Sequence, residues 1–303
     1  MTLEQLRAFV AVVEHGSIRA GARALGMAQS GLTQQVKRLE ASVGGTLFVR
    51  AHSGIALTAP GTALLARARV ILGECDRALQ ECGALNDELV GAINVGVSSE
   101  AFARFVPQVL PQLRRMHPRV SVHLASGPAS MMLTGIREGR LDFALTLVSD
   151  GTDMSDLSAT MLCAADPCIL CRQGHPLQQA TSIRELADSA WINTRPSGLA
   201  GTPANRLADW FAQHQLAPPQ LVASVESLLD TLQLVAQSDY LFLGPRVAIE
   251  AHGFSARLAA VPVREAIPAS RISLIQRTAV PLAPAAREFA SMLISYARMA
   301  RAA

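Results

Sequence analysis

Residues 17–40 constrain this chain more than any other stretch: a serine after Gly16, a run of small residues to Leu25, Gly26, and then Ala28-Gln-Ser-Gly-Leu32-Thr-Gln-Gln-Val36-Lys-Arg-Leu39-Glu40. Gly16 stops a preceding helix, Ser17 caps the next, and Gly26 supplies a turn that a continuous helix would not tolerate cheaply. Helical spacing turns Ala22, Leu25, Leu32, Val36 and Leu39 inward. The second helix then presents Gln29, Ser30, Thr33, Gln34 and Lys37 outward, groups that donate and accept at base edges and phosphates in a major groove. Two short helices with this turn and this face form a helix-turn-helix, and double-stranded DNA is the predicted partner.

An ordinary amphipathic helix pair shows the same spacing, so charge has to separate the two readings. Residues 1–58 carry Arg7, Arg19, Arg23, Lys37, Arg38 and Arg50 against Glu4, Glu14 and Glu40, a net +3 that equals the formal charge of the whole chain. A basic N-terminal module on a neutral body is what an electrostatic footprint for phosphate requires. After Arg50, the alternation through Ala51-His52-Ser53-Gly54-Ile55-Ala56-Leu57 predicts a small two-stranded wing with His52 and Ser53 at its tip.

Thr58 reads as a helix cap, Pro60 is tolerated in the first turn, and no strong breaker follows until Gly91. Leu64, Ala68, Ile71, Cys75, Ala78, Cys82, Leu85 and Leu89 recur at alternating spacings of four and three. That heptad seam predicts packing along a second helix, most simply that of another copy, and a dimer supplies the two DNA modules that a palindromic operator requires. The alternative is a long helix lying on its own domain.

From Gly91 onward strand-like runs alternate with helical ones: Ile93 to Val97, a helix over 101–116, Val120 to Leu124, Leu141 to Thr146, then Pro167 to Cys171, Trp191 to Thr194, Leu221 to Val225, Tyr240 to Leu243 and Ile272 to Ile275. Such βαβ repetition predicts mostly parallel sheets in two lobes, with a ligand cleft at the carboxyl ends of the strands. Residues at those ends are the candidates for a small-molecule effector site: Ser98, Ser99, Gly127, Pro128, Ser130, Thr146, Asn193, Arg195, Ser197, Gly198, Thr202 and Glu226. Ser98 and Ser99 precede a helix, where free N–H groups favour an anion, and Arg195 offers a two-pronged clamp for a carboxylate or sulfonate. A small organic acid, aromatic or not, is the predicted ligand class; a solvated loop position is the alternative for Arg195.

These elements together resemble the LysR-type transcriptional regulators over essentially the full chain. The resemblance is carried by Ala22-x-x-Leu25-x-x-Ala28-Gln29-Ser30-Gly31-Leu32-Thr33-x-x-Val36-x-x-Leu39-Glu40, then Leu47-Phe-Val-Arg50 and Gly54-Ile-x-Leu57-Thr58-x-x-Gly61. Gly174-His-Pro-Leu177, Ser197-Gly198 and Pro284-Ala-Ala-x-x-Phe289 extend it. It implies an α/β protein with a winged helix-turn-helix domain at 1–58, a linker and dimerisation helix at 59–90, and an effector domain at 91–303 shaped like a periplasmic binding protein. Lobe 1 then takes about 91–163 and 267–303, and lobe 2 about 164–266. It also implies assembly as a homodimer or homotetramer, RNA polymerase as a further partner, base contacts from Gln29, Ser30, Thr33 and Gln34, phosphate contacts from Lys37 and Arg50, and approach of His52 or Ser53 to the minor groove. Ligand contacts at Ser98 follow from the same resemblance.

Four positions depart from the common pattern. Ala28 replaces a Ser or Thr, which removes a recognition-helix cap at a cost of about 1 kcal/mol. Gln34 and Ser53 stand where arginine is frequent, and Ala129 where Ser or Thr is frequent.

Other classes fit less well. No apolar run reaches the roughly 18 residues that span a bilayer, and the N-terminus lacks an export signal, so a cytoplasmic location without membrane association is expected. A transport binding protein with a similar two-lobed body would need export and would lack the N-terminal module. The chain carries no Gly-x-Ser-x-Gly elbow, His-Glu-x-x-His, Walker loop or Gly-x-Gly-x-x-Gly, so neither catalysis nor a cofactor is expected. Cys163, Cys168, Cys171 and His175 raise a redox- or metal-sensing alternative. In a strand, however, Cys168 and Cys171 are three apart and point to opposite faces, which favours buried apolar roles.

Overall fold

The computed structural model describes residues 1–51, 54–84, 89–148, 152–194, 206–251, 253–268 and 270–302. The N-terminal unit packs α1 (Leu3–Glu14), α2 (Ile18–Ala24) and α3 (Gln29–Val43) against a hairpin of β1 (Phe48–Ala51) and β2 (Gly54–Leu57). Thr2 closes a capping box with Gln5 at the start of α1, and Ser17 Oγ accepts the Ala20 N–H at 3.1 Å to start α2. Gly26 adopts φ +65°, a left-handed turn closed to most side chains, and the chain leaves α2 there at the angle that sets α3 across it. Leu32, Val36 and Leu39 are buried as the spacing predicts, but Leu25 is 39% exposed. Leu25 occupies the C-cap of α2, where the chain is already turning outward, so the helical period no longer applies to it.

The long helix α4 (Ala59–Ala84) begins at the predicted cap: Thr58 Oγ1 accepts the Gly61 N–H at 3.0 Å. Its heptad seam does not form one continuous surface. Leu64, Ala68 and Ile71 pack on α1 of the same chain, together with Leu6, Phe9, Val10, Leu39 and Leu47. Cys75 is half-buried, Ala78 is exposed, and Leu89 joins the core of the following domain. Leu85 and the side chain of Cys82 lie outside the described residues. The 3.5-residue period therefore serves the helix's own domain at its N-terminal end.

Lobe 1 contains β3 (Gly91–Val97), α5 (Ser99–Met116), β4 (Val120–Ser126), α6 (Ala129–Arg137), β5 (Phe143–Val148) and β6 (Leu157–Ala164). Lobe 2 follows with β7 (Pro167–Arg172), β8 (Ala190–Asn193), α7 (Arg206–Gln213), β9 (Gln220–Ser224), α8 (Leu228–Val235), β10 (Leu241–Pro245), α9 (Val247–Ala251) and β11 (Leu258–Val261). The chain then returns to lobe 1 as β12 (Arg271–Arg277) and α10 (Pro284–Ala302). The sheet orders are β4-β3-β5-β12-β6 and β11-β7-β10-β8-β9. Both sheets are mixed rather than mostly parallel, because β12 runs antiparallel to β5 and β6, and β7 runs antiparallel to β10 and β11. Strands that enter from the other lobe need no crossover helix, and periodicity alone does not reveal that.

Each lobe has its own core. Ile93, Val95, Val97, Phe105, Phe143, Leu145 and Phe289 fill lobe 1. In lobe 2 Trp191 meets Phe211 edge-on at 5.6 Å, and Trp210 joins them, on one face of its sheet; Leu170, Leu232 and Phe242 fill the other. His175 is buried beside the sheet: its Nδ1 accepts the Leu177 N–H at 3.0 Å and its Nε2 faces the Asp239 carbonyl at 3.1 Å, which locks the Gly174-to-Leu177 turn.

Charged side chains join α4 to lobe 1. Arg69 reaches Glu14 of α1 at 3.5 Å and Glu138 at 3.8 Å, and Gly139, at φ +70°, packs directly on the backbone of Val70. Farther along, Arg77 is buried and pairs with Glu74 at 2.7 Å. Burial pushes the Asp142 carboxyl up, while the Asn94 N–H and the Arg77 and Arg277 guanidiniums hold it down. The Arg69–Glu138 pair and the packing of Gly139 on Val70 thus tie lobe 1 to the helix that carries the N-terminal unit.

Candidate functional site

Two regions carry the polar side chains singled out in the sequence. On α3, Gln29, Ser30, Gln34 and Lys37 are exposed, while Leu32, Val36 and Leu39 seat the opposite face in the core. Thr33 is half-buried and its hydroxyl donates to the Gln29 carbonyl at 2.8 Å, so it has its methyl group and two acceptor lone pairs left to offer. Ala28 is the N-cap, with extended backbone and no side-chain hydrogen bond to the first turn of α3. Arg50 lies in β1, paired with Ile55 of β2, which places the wing as expected. His52 and Ser53 lie outside the described residues.

The second region lies where parallel strands end. In lobe 1, β4, β3 and β5 run parallel and finish together, and the Ser98 N–H donates to the Leu145 carbonyl at 2.9 Å. Ser98, Gly127 and Thr146 are thereby gathered at one edge of the sheet. Ser98 is half-buried and caps α5 by accepting the Ala101 N–H at 3.4 Å; Ser99 is exposed. A Cβ at Gly127 would lie 2.2 Å from Met131 Cε, the far end of a flexible side chain that is 42% exposed and can swing aside. Pro128 is the N-cap of α6, Ala129 is buried and Ser130 is half-buried in the first turn. Thr146 is only 2% exposed and sits opposite Ser273, equally buried, in the β5–β12 ladder.

In lobe 2, β10, β8 and β9 also run parallel, and the Asn193 carbonyl accepts the Val225 N–H at 2.8 Å where β8 and β9 end. Glu226 follows there and is exposed. Arg195, Ser197, Gly198 and Thr202 lie outside the described residues.

Two charged residues that the sequence did not single out carry buried polar atoms, and one of them, Glu100, bonds at the crossing between lobes. Glu100, in the first turn of α5, is 5% exposed; its Oε1 accepts from Arg104 Nε at 3.2 Å and from the Asp166 N–H at 3.2 Å. Asp166 lies where the chain crosses between lobes and pairs with Arg246 at 3.2 Å. Arg206, at the start of α7 in lobe 2, has its Nη1 shut off from solvent without a hydrogen-bond partner. A glutamate one turn into a helix reads in sequence as an exposed acid favoured by the helix dipole, so nothing marks Glu100 as a lobe junction.

Cys168 and Cys171 are placed as their spacing predicts. Cys168 faces one core of lobe 2 and Cys171 the other. Burial pushes the Cys168 thiol up to about 12 and that of Cys171 to about 11, and Cys163 is raised for the same reason. Since the thiolate is the reactive form, a thiol reagent at neutral pH should leave Cys168 and Cys171 unmodified until the protein is denatured. Mass spectrometry of labelled peptides checks this, and labelling of either residue in the folded protein contradicts it.

Among the described residues, no helix is long and apolar enough to cross a membrane. Residues 3–62 match the family described as "Bacterial regulatory helix-turn-helix protein, lysR family", and residues 86–298 match the "LysR substrate binding domain". The HTH-type transcriptional regulator GbpR of Azospirillum brasilense is 28% identical over 95% of this chain and 84% of its own. The SDS degradation transcriptional activation protein of a Pseudomonas species is 30% identical over 96% of this chain and 95% of its own. Full-length CbnR in complex with its target DNA shares the fold with a TM-score of 0.68, at 21% identity, over 98% of this chain and 100% of CbnR. With a helix-turn-helix unit, a long following helix and a two-lobed body all in place, the chain belongs to the LysR family of DNA-binding transcriptional regulators, with an effector-binding domain of that family.

Proposed function

We propose that α3 reads operator bases in the major groove through Gln29, Ser30, Thr33 and Gln34, that Lys37 and Arg50 bind flanking phosphates, and that His52 or Ser53 reaches the adjacent minor groove. The observation that carries this is the division of α3 into a buried apolar face and an exposed face of amides, hydroxyls and one lysine, with no carboxylate between Gln29 and Lys37. Amides recognise adenine edges in pairs, and a lysine supplies charge without sequence preference.

The effector is a small organic acid bound between the lobes, at the strand ends that hold Ser98, Ser99, Gly127, Pro128, Ser130 and Thr146 on one side and Glu226 on the other, with Arg195, Ser197, Gly198 and Thr202 completing the set. Binding favours one arrangement of the lobes. The Arg69–Glu138 ion pair and the field of Arg77 at Asp142 pass that preference to α4, and thus to the separation of two DNA modules in a homodimer or homotetramer at a promoter, where RNA polymerase responds. The thiol-sensing alternative has less support, because Cys168 and Cys171 are buried on opposite faces of one sheet with raised pKa values.

The roles on DNA are separable. Gln29→Ala should lose about 1–3 kcal/mol on an operator and much less on DNA altered at the one base pair it reads. Arg50→Ala should weaken binding to all sequences alike and reduce the salt slope by about 1. Titrations at several salt concentrations measure both, and equal losses on specific and random DNA for both variants refute the assignment.

A further inference from the structure

Where the chain enters α3, an apolar side chain stands among the polar ones, and none of the contacts proposed above uses it. Met27 lies between Gly26, at φ +65°, and Ala28, the N-cap of α3. Its backbone is held in place, because its N–H donates to the Ala22 carbonyl at 2.9 Å. Its side chain lies along the start of the helix: a Cβ at Gly31 would meet Met27 Cε at 4.0 Å. The thioether methyl therefore sits beside the first turn of α3 at a position where the helix has no side chain of its own. Gln29 and Ser30 are exposed in that same turn, which carries no acid.

The chain's own packing leaves Met27 37% exposed. An apolar residue ahead of a helix cap ordinarily staples onto the fourth helical residue, here Leu32. Leu32 is 0% exposed and is packed with Ala8, Val12, Ala22 and Val36. A thioether left in water at this point gains by burial against another apolar group. The N-terminal end of a helix that docks in the major groove meets base edges, and the apolar group on those edges is the C5 methyl of thymine. Methionine, unbranched and with three rotatable bonds, adapts readily to such a contact.

We infer that Met27 is a specificity-determining residue for the operator: its thioether methyl packs on the C5 methyl of one thymine in each half-site, beside the bases read by Gln29 and Ser30. This rests on the placement of α3 in the major groove and deepens it. The amides and hydroxyls of α3 choose among hydrogen-bonding edges, whereas Met27 reads a group that offers no hydrogen bond. Thymine and uracil present the same O4 acceptor and differ in that methyl alone, so replacing one by the other isolates the contact.

The test uses the full-length protein and the duplex that it enriches from a random DNA library, with each thymine in turn replaced by deoxyuridine. Wild type should bind about fourfold more weakly when one particular thymine of a half-site loses its methyl, the effect of about one buried carbon. Met27→Ala should bind the thymine duplex more weakly by the same factor and make no distinction there between thymine and uracil. Met27→Gln keeps the length of the side chain without its apolar end and should also fail to distinguish them, while Met27→Leu keeps part of the discrimination. A purely structural staple gives a different result: Met27→Ala then loses affinity equally for both duplexes and still discriminates, which overturns the inference. So does a wild type indifferent to deoxyuridine at every thymine, or an enriched half-site that contains no thymine. Gln29→Ala in the same titrations separates the two claims. If it loses selectivity at its own base pair while wild type ignores the thymine methyls, α3 remains the reading helix and Met27 alone is removed; if no duplex is enriched, the reading of α3 fails and this inference with it.

Discussion

Replacing Gly61 by alanine is expected to loosen the N-terminal domain from α4 and to cost about 3 kcal/mol of that domain's stability. A Cβ at position 61 would lie 2.2 Å from the Leu47 carbonyl oxygen and 3.0 Å from Leu57 Cδ2. The first of these is backbone and cannot swing aside. The Leu47 carbonyl also accepts the Thr58 N–H at 3.0 Å, and the Leu47 N–H is held by Glu40 Oε1 at 2.8 Å. The clash therefore falls on the strap that fixes β1, α3 and the start of α4 together. Both tryptophans of the chain, Trp191 and Trp210, lie in the core of lobe 2, so their fluorescence follows that lobe alone. In Gly61→Ala, helical circular dichroism should begin to fall at lower denaturant while tryptophan fluorescence keeps its wild-type transition. Superimposable curves for the two proteins by both probes contradict this.

Glu100→Ala is expected to destabilise the effector domain by about 3 kcal/mol. It leaves Arg104 without its partner, removes the carboxylate whose charge supports Arg206, and strips the acceptor from the Asp166 N–H at the crossing between lobes. Glu100→Gln keeps an acceptor oxygen for that N–H and should cost less than the alanine variant. Denaturation followed by tryptophan fluorescence measures both, and an alanine variant as stable as wild type would remove Glu100 from its place at the lobe junction.

How far the sequence reached depends on which force sets each feature. Local rules served well. Ser17, Thr58 and Ser98 cap the helices that their spacing announces, because a cap is decided within one turn of chain. The inward positions on α3 followed from its period, yet the same logic misplaced Leu25, which belongs to the turn. The heptad along α4 was real as a pattern, but a period does not name its partner: Leu64, Ala68 and Ile71 meet α1 of the same chain. Strand direction was the weakest reading, since β12 reaches lobe 1 only after the whole of lobe 2 has been traversed, and nothing local records that return.

The candidate sites divide in the same way. Gln29, Ser30, Gln34 and Lys37 were legible because a helix with one apolar face must show its other face to solvent. Ser98, Gly127 and Thr146 were legible as strand ends, and three parallel neighbours bring them to one edge. Glu100 was not, because it acquires its meaning only when the fold brings the Asp166 N–H, 66 positions away in the sequence, onto its carboxylate.

The measurement that tests the central claim most directly is selection of bound fragments from a random duplex DNA library by the purified full-length protein, followed by sequencing, with Gln29→Ala carried in parallel. A chain that reads DNA through α3 should enrich a motif of two symmetric half-sites spaced by about a helical turn of 10–10.5 base pairs, or multiples of it. Gln29→Ala should then lose its preference at one position in each half-site. No enrichment over the input, or an identical motif from wild type and Gln29→Ala, would contradict the assignment of α3 as the reading helix.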